Sequence, residues 1–81
     1  MSAIVAPAPS IMPMWTVYAN PSDFPGKFVV RKHEIREGAN RPTAEHFVGD
    51  TIDEVREHIP GWAIRFEREP GDDPVIAEVW L

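Results

Sequence analysis

Apolar and polar positions along the chain fall into alternating stretches separated by turn chemistry. In "MWTVYA", residues 14–19, large and β-branched side chains alternate as they do on a strand. "NPSDFPGK" follows, where Asn20-Pro21 and Pro25-Gly26 set backbone angles foreign to both helix and strand. "KFVVRKHEIR" then predicts a second, longer strand. Phe28 and Val30 share a face there with Lys32 and Glu34. The pattern therefore predicts either a bulge near Arg31 that switches faces or a far end that leaves the core. "EGANRP" closes this strand and "TAEHFV" predicts a third, giving an antiparallel meander.

The period changes at "FVGDTIDEVREHIPGW", residues 47–62. Thr51 and Glu54 have capping-box spacing: the hydroxyl accepts from the Glu54 amide while the carboxylate reaches back to the Thr51 amide. Asp50 and Asp53 fall near the positive end of the helix dipole. Ile52, Val55 and Ile59 form one apolar stripe, and Pro60-Gly61 stops the helix. Beyond it, "WAIRFER" places Trp62, Ile64 and Phe66 on one face, and "EPGDDP" is a turn. "VIAEVWL" reads as a final strand with Val75, Ala77, Val79 and Leu81 facing the core. The expected fold is α+β, a small antiparallel sheet in β-β-β-α-β-β order with one helix packed on one face. Residues 1–13, with three prolines and no periodicity, read as a disordered N-terminal tail, and residues 14–81 as a single domain.

Composition narrows the functional classes. At 81 residues the chain has room for one small core. The absence of cysteine removes disulfides, thiol catalysis and thiolate zinc sites. No apolar run is long enough to span a membrane, and "MSAIVAPAPSIMP" lacks the basic start of a secretory signal, so a cytoplasmic location is expected. Net charge is −5, unevenly spread: +3 over residues 27–41 and −7 over residues 42–81. An acidic second half argues against general nucleic-acid binding, whereas the basic stretch suits an acidic partner or the acidic half of a second copy.

The densest set of reactive side chains is Asp50, Asp53, Glu54, Glu57 and His58 on the helix. Glu54 and His58 have metal-ligand spacing, but the same spacing makes a surface ion pair, and no second motif supplies further ligands. His33, His46 and His58 sit on separate elements, and pH-sensitive surface positions are expected for them. Ser2, Ser10 and Ser22 lie in the tail or a turn, away from any strand-to-helix elbow. The five glycines stand singly and form no phosphate loop, and Asp72-Asp73 lacks calcium-loop spacing. No catalytic residue, cofactor or metal is therefore expected. Among the aromatics, Trp80 stands apart: it shares a strand face with Ile76 and Glu78, opposite the core set, as an exposed or interface residue would.

Taken together, "MWTVYANPSDFPGKFVVR", "TIDEVREHIPGW" and "DDPVIAEVWL" resemble a family of short bacterial proteins built on a domain of unknown function. The resemblance runs from Met14 to Leu81 and implies a small stand-alone domain, with no catalytic residues to carry over. Gly49, Asp50, Thr51 and Glu54 also resemble the "GDT-x-x-E" segment at the helix start of HicB-type antitoxins. That likeness implies an inhibitor of a small toxin. The chain departs from the antitoxin pattern in its "NPSDFPGK" turn and in having no DNA-binding segment after the last strand.

The expected function is that of a non-enzymatic binding or regulatory module. It would act on a protein partner or a second copy through a sheet edge or through the basic strand bearing Arg31, Lys32 and Arg36, with Trp80 as a further contact. The alternatives are an antitoxin-like inhibitor and a small metal-dependent enzyme using the histidines and helix carboxylates.

Overall fold

The structure is a computed structural model and describes residues 11–67, 71 and 73–81. Its elements are β1 (Ile11–Ala19), β2 (Phe28–Arg36), β3 (Ala39–Gly49), α1 (Ile52–Arg56), β4 (Arg65–Glu67) and β5 (Ile76–Trp80). The strands form one five-stranded antiparallel sheet in the order β3-β2-β1-β5-β4. At the level of class this is the expected small antiparallel sheet with one short helix, and strands dominate it.

The meander is longer than its sequence pattern suggests. β1 begins at Ile11, and residues 11–13 pair with Glu34–Arg36, so the boundary expected at Met14 moves at least to Ile11. The remainder of the expected tail, residues 1–10, lies outside the described residues. β2 and β3 are joined by Glu37-Gly38 alone, with φ of 51° and 78°. Positive φ at both central residues is the two-residue hairpin turn whose twist matches the flanking strands. Asn40–Pro42, read above as loop, are therefore strand residues pairing with His33–Ile35. The irregularity expected near Arg31 lies instead on β3: β2 runs unbroken against β1, while Thr43–Glu45 bulge opposite Lys32. The Thr43 hydroxyl donates to the Lys32 carbonyl at 2.7 Å, and Arg31 donates to the Thr43 carbonyl at 2.7 Å, which fills the gap in the ladder.

Strand alternation assigns two faces. Trp15, Val17, Val30 and Phe28 share one face with Glu78 and Trp80, and against it pack Val55, Ile59 and Ala63. Val17, Val30 and Val55 are the largest side chains fully removed from water. Thr51 caps α1 by accepting from the Glu54 amide at 3.2 Å, whereas the Glu54 carboxylate accepts from the Asp50 amide at 3.0 Å, one residue earlier than expected for a capping box. Gly49 lets the helix sit this close: a Cβ there would meet Glu54 Cβ at 2.9 Å and Val55 Cγ1 at 3.2 Å. Gly49→Ala is accordingly expected to destabilise the fold by about 1–3 kcal/mol, the usual cost of overpacking, read as a shift in the urea midpoint.

The last third departs most from expectation. Among the described residues of "WAIRFER", only Arg65–Glu67 is strand, and Ala63 is buried while Trp62, Ile64 and Phe66 are 65%, 64% and 49% exposed. The turn that bonds the Ala63 amide to the Pro60 carbonyl aims the small residue, not the large ones, at the core. In β5 the register slips against β1 between Val17 and Tyr18, which places both Ala77 and Glu78 opposite Val17. Glu78, 6% exposed, is thus turned into the helix-side layer, and the expected core face of β5 is corrected. Its carboxylate accepts from Arg56 Nε at 3.0 Å and from Arg56 Nη2, from Trp80 Nε1 at 3.1 Å and from Arg65 Nη1 at 3.3 Å. Burial alone would raise its pKa, but the bonds from Arg56, Trp80 and Arg65 outweigh burial and hold it below the usual carboxylate value. One side chain thereby fastens α1, β4 and β5 together.

Candidate functional site

The face of the sheet away from α1 carries no described helix, yet its alternation is largely apolar. Across the strands, facing positions read Phe66–Val79–Thr16–Arg31–His46 in one row. In the next row Ile64 and Leu81 exchange backbone bonds at 2.8 and 3.0 Å, Met14 faces His33, and His33 in turn faces Pro42. Met12 and Ile35 extend the surface towards the β2–β3 turn. Met12, Ile64 and Phe66 are all exposed. The centre of this face is closed to water, with Met14, Thr16 and His33 at 8%, 3% and 8% exposure, and the exposed apolar side chains lie around it.

Its interior is polar and ordered. His33, 8% exposed, bonds through Nε2 to the Tyr18 hydroxyl at 3.3 Å and through Nδ1 to the Asn40 side-chain oxygen at 2.9 Å. This chain ties β1, β2 and β3 together. Burial lowers the pKa of His33, opposed by the Asn40 bond and assisted by Arg31, and burial raises that of Tyr18. A depressed histidine pKa means the unfolded chain binds the proton first. The His33 contribution to stability is therefore complete above about pH 6.5, the free value, and falls as pH drops below it. An NMR titration is expected to place the His33 ring midpoint below the free-histidine value.

Beside this chain lies a groove of about 430 Å³ floored by Tyr18, Val29 and Arg31 and rimmed by Ser22, Asp23 and Asp73. The β1–β2 loop forms this rim because Asn20, at φ 53°, turns back and accepts from the Gly26 amide at 2.6 Å.

The expected site residues do not converge. Arg31 lies on the helix-free face, whereas Lys32 and Arg36 alternate to the opposite one. β2 is an interior strand, so its three cations form neither an edge nor a single patch. Lys32 is 3.8 Å from Glu45, and Arg36 lies with Glu34 and Arg41 at the hairpin end. Trp80 is half-buried with its indole N–H on Glu78 and lies on the core side of β5, which corrects its expected place opposite the core set. The helix cluster is spread over separate contacts: Asp50 pairs with Lys27, Asp53 lies 3.4 Å from Arg56, Glu54 caps, and His58 stacks on Phe47 at 3.7 Å and 4°. Among the described residues no group of three or more His, Asp or Glu side chains is arranged to hold a metal ion. His46 is exposed and bonded to the Ala44 carbonyl, in keeping with a surface histidine, whereas His33 is not.

Sequence reading placed His33 at the surface and did not single out Tyr18, Ile64 or Phe66 as contacts. The signal for the first two was the second alternation in β1 and β2, since Met14, Thr16, Tyr18 and Val29 are as unsuited to water as the residues between them. No helix of the described residues is long and apolar enough to cross a membrane. No protein-family model, curated protein or solved structure matches this chain.

Proposed function

We propose that this chain is a non-enzymatic protein-binding module whose contact surface is the helix-free face of its sheet. The observation that carries the reading is the exposure of Met12, Ile64 and Phe66 around half-buried Val79 and Leu81 and buried Met14 on that one face. Contiguous exposed apolar surface on a small domain is a common mark of an interaction site. The edges are poorer candidates. β3 carries Pro42 and a bulge, and β4 is three residues long, both of which discourage strand addition. Asp50, Asp53, Glu54 and His58 are each engaged in a cap, an ion pair or a stack, which favours binding over chemistry. Arg31, at the centre of the face, is the one basic-strand residue retained as a contact.

The test is co-purification of the tagged chain from its native cells beside the double variant Ile64→Asp/Phe66→Asp. Both positions are exposed, so the variant is expected to melt within a few degrees of the parent. A partner retained by the parent and lost by the variant supports the reading. An identical retained set from both removes the helix-free face.

A further inference from the structure

We infer that the occupant of the helix-free face is a second copy of this chain, stacked sheet on sheet about a two-fold axis with both helices outside. This inference rests on the reading above and deepens it. A two-fold contact sets one patch against itself, so a patch crowded with charges of one sign repels its twin. The chain carries −5, yet this face is nearly free of that charge. Arg31 is the one fully charged side chain in its three central rows among the described residues. Asp23 and Asp73 share its groove and provide counter-charge within the same copy.

Dimensions decide between stacking and edge pairing. The five strands span about 24 Å at ~4.8 Å spacing, and Met12 to Tyr18 spans about 20 Å at ~3.3 Å per residue. Each copy then presents about 480 Å² in projection, with Met14, Thr16 and His33 at its centre already buried, and two copies cover about 1,000 Å², the least that a specific interface clears. The apolar corner alone covers about half of that and falls short. Pairing through the β4 edge would add a ladder only three residues long. Stacked sheets sit about 10 Å apart with interdigitating side chains, a spacing that Met12, Ile64 and Phe66 can fill.

Sedimentation equilibrium of the full chain across the micromolar range, at low and high salt, tests the inference. The expected result is a dimer whose association holds or strengthens as salt rises, because salt screens the net repulsion and leaves apolar contact intact. Phe66→Asp and Ile64→Asp are each expected to weaken association at least tenfold, whereas Glu57→Lys on the helix side is expected to leave the face-to-face contact in place. A dimer that survives both aspartate variants overturns the face. A monomer with Phe66-dependent capture of a different protein overturns the second copy and leaves the binding module standing. A monomer with no Phe66-dependent capture overturns both. A monomer in which hydroxyl-radical footprinting finds Met12 and Phe66 protected assigns the face to another part of the same chain and overturns the second copy.

Discussion

Replacing Glu78 with leucine is expected to destabilise the domain by about 2–4 kcal/mol, and the mechanism lies in what the substitution leaves behind. Removing one member of a buried ion pair typically costs about 3–5 kcal/mol, because the partner charge stays buried without compensation. Arg56 and Arg65 remain partly exposed, so their guanidinium groups keep some water and the lower part of that range applies. Arg56→Ala is expected to cost less, since Arg65 and Trp80 still donate to the carboxylate. A domain of this length has a total stability of only about 4–12 kcal/mol on per-residue averages. Each lost kcal/mol lowers Tm by about 4–8 °C at this size. Thermal melts followed by circular dichroism check both variants, and a Glu78→Leu loss below about 1 kcal/mol would contradict the buried placement of the carboxylate.

The same residue sets the acid limb of stability. Its folded-state pKa lies below the unfolded value of about 4.3, so its contribution is complete above that pH and drains away as pH falls through the folded value. Melting temperatures recorded from neutral pH downwards are expected to fall less steeply below about pH 4 for Glu78→Gln than for the parent. His33 acts at higher pH and in the same direction, so acid weakens the domain in two separable steps.

Local chemistry was legible where a few neighbouring residues decide the structure. A turn after β2 was legible in "EGANRP", although Glu37-Gly38 alone form it, and Thr51 with Glu54 makes a cap because the spacing brings hydroxyl to amide. The apolar stripe was readable in part: Val55 is buried on the helix, but α1 ends at Arg56 and not at Pro60-Gly61, so Ile59 is buried from the turn that follows. Long-range partners were not legible. Nothing within "VIAEVWL" announces that Glu78 points inwards, since its guanidinium partners lie 22 and 13 residues away and the register slip at Ala77 reverses the face. "WAIRFER" failed differently: alternation names two faces without saying which is covered, and the Pro60 turn chose Ala63.

The candidate site was obscured by a similar gap. Clustering in sequence suggested that Arg31, Lys32 and Arg36 act together, but the strand period of two separates Arg31 from the others. The surface that is contiguous in space draws on β1, β2, β4 and β5 and exists only once strand order is known. A helix too short to cover more than one face then leaves the other available. The fold's economy and its proposed binding function follow from the same feature.

Trp15→Ala is expected to cost about 3–5 kcal/mol, the range for removing a large aromatic from a packed core. Trp15 sits on the central strand, buried, facing Lys32 on one side and Trp80 on the other, and meets the Trp62 ring edge-on with centroids 5.5 Å apart. The cavity cannot readily collapse, because β1 is held by backbone bonds to both neighbours and Val17 and Val30 are already in contact with α1. Trp62 is largely exposed, so Trp62→Ala forfeits little burial and chiefly the aromatic pair, about 0.5–1.5 kcal/mol. Urea unfolding of both single variants and the double variant separates these contributions: the cycle isolates the ring–ring coupling, and the remainder of the Trp15 loss is core burial. Trp15→Phe keeps an aromatic ring in the site and is expected to recover more than half of the loss. If Trp15→Ala cost no more than Trp62→Ala, the helix-side layer would not be the core. The helix-free face would then have to be buried by the chain itself, leaving no surface for a partner.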